Sequence, residues 1–195
     1  MSTTNLFVEL LVIGVGAACW VALGLASVAG IGWIESDVLQ SYPALAVMLA
    51  LVYVLGIISD RVADWLFDIF FSGRIRSCYF EEKRDYQDAR RLVISNSTRL
   101  ADMHEYGRTR IRICRGWSLN AAMMAVCWCL FIETQAAGHP WRNEALAFGL
   151  GGFGLLSVAA WWSWQMLCAM EYLKIREHAE FLRGQGSTSQ FRNAA

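Results

Sequence analysis

The sequence predicts an all-α integral membrane four-helix bundle with a helical cytoplasmic hairpin between spans 2 and 3. Three observations carry that expectation. The 195 residues are 56% hydrophobic and only 17% charged, where a soluble domain carries about 25% charged residues. The apolar residues gather in four long blocks, as helices that cross lipid require. The basic residues are segregated: Ser72 to Gly116 holds eleven Lys/Arg against six Asp/Glu, although the whole chain is neutral. Lys and Arg are retained on the cytoplasmic side during insertion. The middle segment is therefore expected inside, and with four spans both termini lie inside as well. The expected location is the cell inner membrane, multi-pass, with residues 1–183 as a single four-span domain.

The first span is expected over about 6–34. Gly14, Ala18, Ala22, Ala26 and Gly30 recur at every fourth position, which puts five small residues on one helix face. Lipid supplies no hydrophobic drive between helices, so close backbone approach must hold them together; the stripe is read as a helix-contact face. Glu9 stands about a turn into this span. Met1 to Leu6 lacks a basic region and the apolar block is too long for a cleaved signal peptide.

The second span is expected over about 43–71. Pro43 suits a first helical turn, and the block is roughly 42 Å long against a ~30 Å hydrocarbon layer. Its inner end must protrude. That end carries Asp60, Asp64 and Asp68 at i, i+4, i+8, where like charges repel unless something basic faces them.

Residues 73–116 form the expected hairpin. Ser95, Asn96 and Ser97 compete for backbone hydrogen bonds and mark the bend. Leu100, Met103, Gly107, Ile111 and Cys114 give the returning helix an apolar stripe, with Arg108, Arg112 and Arg115 on a neighbouring face. Antiparallel to the second span, these arginines are expected to form an ion-pair ladder with Asp60, Asp64 and Asp68, or else to meet anionic headgroups. Arg74, Arg76, Lys83, Arg84, Arg90 and Arg91 remain for lipid, a cytoplasmic protein partner or an anionic ligand.

The third span is expected over about 117–135 and the fourth over about 145–166, after the Pro140 turn. The fourth helix is expected to continue over about 167–183, ahead of a flexible tail at 184–195. Trp33 and Trp141 mark the outer aromatic belt, and Trp117, Trp161, Trp162 and Trp164 the inner one. Glu133, at the outer end of the third span, is with Glu9 one of two intramembrane acids. Both are read as helix-end markers rather than functional groups.

Chemistry is sparse. Gly149-Leu-Gly-Gly-Phe-Gly154 lacks the strand that a nucleotide loop needs and lies inside an apolar span. The six cysteines form no CxxC pair, and His139 and His178 have no ligand partners at metal spacing. No catalytic residue, metal or cofactor is expected. Arg99-Leu-Ala-Asp-Met-His104 has the Arg-x4-His spacing of ribonucleases of the HEPN class, the weakest of three functional expectations. The leading one is an oligomeric regulated channel or membrane-perturbing effector, gated through its basic hairpin by a partner protein or anionic ligand. The second is a non-conducting anchor or scaffold that recruits a cytoplasmic partner. In architecture the chain resembles the small four-span membrane components of bacterial antiphage operons, which implies a role in antiviral defence. Homo-oligomerisation is expected and nucleic acid binding is not.

Overall fold

The structure, a computed structural model, describes residues 3–32, 42–96 and 98–193, with side chains over 6–32, 42–96, 100 and 103–184. The described residues are helical throughout apart from short connections. In chain order they are α1 (Thr3–Ala29), α2 (Tyr42–Phe67), a π-helical turn (Asp68–Ser72), α3 (Gly73–Ser77), α4 (Lys83–Asn96), α5 (Thr98–Gln135) and α6 (Arg142–Asn193). Four stretches are long and apolar enough to cross a membrane: Leu6–Ala29, Tyr42–Ser77, Met103–Gln135 and Arg142–Gly184. The all-α architecture with four such helices is the predicted one.

Three boundaries differ from expectation. The first helix stops at Ala29 rather than near 34, because Gly30 turns left-handed (φ +73°) and donates its N–H back to the Ala26 carbonyl at 3.0 Å. Glycine is the residue that ends a helix this way without steric penalty. Gly30 is thus the cap of α1, not the last member of its contact face, and Trp33 lies outside the described residues. The descending arm of the hairpin is broken at Cys78–Glu82, where the Tyr79 and Phe80 amides both close on the Arg76 carbonyl at 3.0 Å. The last helix runs to Asn193 instead of yielding to a tail at 184. No proline follows Pro140, and Gly184 and Gly186 weaken a helix by only about 1 kcal/mol each.

α5 is the axis of the bundle and packs on α1, α2 and α6. Its contacts are set by small residues and a few hydrogen bonds, as expected where both solvent and core are apolar. Asn120 is fully buried; its amide donates to the Ile13 carbonyl at 2.9 Å and its oxygen accepts from Ser59 Oγ at 2.8 Å and Trp20 Nε1 at 3.2 Å. One side chain therefore ties α1, α2 and α5. Ser118 and Ser157 each donate to the other's backbone carbonyl, at 3.1 and 2.9 Å, which pins α5 to α6. Higher up, Trp128 Nε1 donates to the Ala145 carbonyl at 2.9 Å, and its ring occupies the space that a side chain at Gly149 would need.

The α1–α2 contact is made by backbone. A Cβ on Gly14 would overlap the Val52 carbonyl, and one on Gly56 would overlap the Leu10 carbonyl. Of the small-residue stripe, Gly14 and Ala26 are buried, and Ala18 and Ala22 are half-buried. At the hairpin end, Ala89 and Val93 of α4 pack on Ile175 and Ala179 of α6, with Phe80, Tyr86 and Leu100 around them. The α6 extension and the hairpin thus share one small core.

Candidate functional site

The most concentrated polar feature lies where α1, α2 and α5 meet near the hairpin. Asp60, 2% exposed, accepts from Arg112 at 2.8 Å on one carboxylate oxygen and from Arg115 at 3.0 Å on the other. Arg115 also reaches Asp64, and Arg61 sits 3.9 Å from Asp60. Glu9 comes down from α1 to complete the group. It is 1% exposed, with Oε1 3.0 Å from Arg112 Nε, yet neither of its oxygens has an aligned hydrogen bond. Two buried carboxylates, Glu9 and Asp60, therefore meet two half-buried guanidiniums from α5, with the exposed Asp64 at the edge of the group. Removing one partner of such a group leaves an uncompensated buried charge. A cavity of about 340 Å³, lined by Asp60, Asp64, Arg108, Arg112 and Arg115 among others, opens beside it.

The arrangement differs in detail from a ladder. Asp60 takes both Arg112 and Arg115, and Asp64 shares Arg115. Asp68 and Arg108 are exposed and make no ion pair among the described residues. Asp68 opens the π-helical turn at the end of α2, one helical turn beyond the two acids that meet the arginines. Glu9 is the member that sequence reasoning did not place, since it stands 103 positions from its partner and looked like a helix-end acid. Glu133, at the opposite end of the bundle, pairs with Arg142 at 2.5 Å and is half-exposed.

The inner aromatic belt is only partly a belt. Trp162 is exposed, but Trp164 is 3% exposed and meets Phe67 edge-on with centroids 4.7 Å apart. Trp161 packs edge-on against Phe71 at 5.8 Å. These rings clamp α6 onto the π-helical elbow. Of the residues proposed for lipid or a partner, Arg74, Lys83, Arg84 and Arg91 are exposed, and Arg76 and Arg90 are half-buried.

A second polar group lies below the first, between α5 and α6. His104 Nδ1 is 2.5 Å from Glu171 Oε1, and the His178 ring stands 5.7 Å from that of His104. His104 is therefore turned into the α5–α6 contact rather than presented on the surface; the Arg99 side chain lies outside the described residues. Glu171 could have been noticed as an acid facing the returning helix, but its 67-residue separation from His104 leaves no local signal. Among the described residues no three His, Cys, Asp or Glu side chains converge as a metal site. Comparison with protein-family models, with curated proteins and with solved structures found no match.

Proposed function

We propose that the chain is the subunit of an oligomeric membrane assembly, a regulated conduit or membrane-perturbing effector whose basic cytoplasmic hairpin receives the signal. The observation that carries this reading is continuity. α5 and α6 run without a break from their apolar stretches into the hairpin-end core. The Glu9–Asp60–Arg112–Arg115 cluster fastens α1 and α2 to the same junction. A displacement of the hairpin is then a displacement of all four spans, the helix-shift class of switching motion. The positive charge of the hairpin supports its cytoplasmic placement.

Oligomerisation is supported by what one chain leaves uncovered. Only 11% of the apolar window of α2 and 6% of that of α6 are buried within the chain. Ile13, Asn120 and Ala121 fill the centre of the single bundle, so a water path would run between copies. That filled interior also favours the second reading, a non-conducting anchor for a cytoplasmic partner. Purified protein in mild detergent is expected to migrate as an oligomer, and vesicles containing it to release a trapped dye when the hairpin is engaged by partner or anionic ligand. Asp60→Asn should suppress release. A monomer in sealed vesicles would refute the conduit. Retained partner recruitment after Asp60→Asn, with no leak in the parent protein, would favour the anchor.

A further inference from the structure

We propose that the cavity between α5 and α6 at the hairpin end binds an amphiphile with a phosphate head. The cavity measures about 420 Å³, within the range of small-molecule sites. Its walls divide by chemistry. Met103, Tyr106, Leu167 and Met170 supply an apolar side. The polar side carries Arg110 and Lys174, both exposed and neither in an ion pair among the described residues.

The one carboxylate at the cavity, Glu171, is already engaged. A carboxylate only accepts hydrogen bonds, so His104 donates from Nδ1 across the 2.5 Å contact. That fixes the ring and leaves Nε2 as its other polar atom. His104 is 7% exposed, and Nε2 is buried without a partner at the cavity wall. His178 Nδ1 is buried and unpartnered in the same way. Gly107 keeps this geometry open, because a Cβ there would stand 2.7 Å from Glu171 Oε2. Two cations beside an apolar wall, Lys174 and Arg110 (the latter 6.0 Å over the Tyr106 ring), are the complement of an anion carried on an apolar body. With Nδ1 given to Glu171, His104 Nε2 accepts from a protonated phosphate oxygen, or donates to a charged one when the ring is an imidazolium.

The depth agrees. Arg110 precedes Trp117 by seven residues, about 10 Å of helix, and Leu167 follows the exposed Trp162 by five, about 8 Å. With the hairpin cytoplasmic, the upper rim of the cavity lies at the headgroup layer. A phosphate on Arg110 and Lys174 can then send its chain past Leu167 toward the bilayer. This inference needs the membrane reading but not the conduit, and binding is measured without reference to leak or subunit number.

The test uses the full chain in a non-ionic detergent, with the thermal midpoint followed against added oleoyl lysophosphatidic acid. Lysophosphatidylcholine of the same chain length and inorganic phosphate are the comparison probes. A saturable rise with the phosphatidic acid alone is expected. The surface double substitution Arg110→Gln/Lys174→Gln should weaken binding by at least about tenfold, since charged hydrogen bonds are lost. Met170→Trp, which fills the apolar side, should weaken it without touching a charge. An equal response to the choline lipid would overturn the phosphate assignment. An equal response to inorganic phosphate would overturn the amphiphile, and undiminished binding by both variants would overturn the site.

Discussion

Asn120 holds three helices together with one amide, and its removal measures how much that amide contributes. Asn120→Ala loses the bonds to Ile13, Ser59 and Trp20 and leaves the Ser59 hydroxyl and the Trp20 ring nitrogen without their acceptor. Interhelical hydrogen bonds in membranes average about 0.6 kcal/mol each. Three of them plus the vacated volume predict a loss of about 2 to 3 kcal/mol, readable by reversible unfolding in mixed micelles. Gly56→Ala should be at least as severe, because its Cβ meets the Leu10 backbone, which cannot swing aside. Gly151→Ala meets nothing within 4 Å and should leave the stability of the single chain unchanged. Gly14 was legible as part of a four-residue repeat of small side chains. Gly56 was not, because what it accommodates is a carbonyl on another helix, and carbonyls leave no mark in a sequence. Asn120 was readable in principle, as a lone amide in an apolar block, but nothing local names its three partners.

At the scale of elements, the π-helical turn and α4 are the informative parts. The extent of α2 was legible, since hydropathy and length are one-dimensional properties. The widened turn at Asp68–Ser72 depends on how Phe67 and Phe71 seat against Trp161 and Trp164, which only the tertiary fold decides. Deleting one residue within 68–72 should restore ordinary helical pitch and rotate α3 by about 100°. Loss of the aromatic clamp would appear as a change in tryptophan fluorescence while the apolar part of α2 stays inserted. α4 is held by Ala89 and Val93 on Ile175 and Ala179. Val93→Asp should therefore release it, seen as new proteolytic cleavage near residues 78–82. Tyr86, in the same core, has its phenol pushed above the ordinary tyrosine value by burial. A raised phenol keeps its proton in the folded state, so its contribution is intact below pH about 10 and declines above it. The Tyr86→Phe protein should lack that decline in alkaline unfolding titrations.

Across the whole molecule, the charge cluster joins α1, α2 and α5 beside the hairpin. Asp60→Asn and Arg112→Gln should each be strongly destabilising, on the order of 3 to 5 kcal/mol for a broken buried pair. The double variant should lose clearly less than the sum of the two. Additive losses would show that the pair is not coupled. A reporter fused at residue 90 should mark the same side of the membrane as one fused at each terminus, and a hairpin found on the outer side would reverse every depth assignment. α5 has one further property. The helix that starts beside the hairpin bend ends with the Gln135 amide on the Ser27 carbonyl, at 3.2 Å, just ahead of the Gly30 cap. Because linkage between two sites runs equally in both directions, the proposed coupling of hairpin and spans means that anything gripping residues 136–141 should be felt at the hairpin. An antibody fragment against that short bend would then serve as a remote handle, shifting the affinity of the hairpin for whatever it recognises.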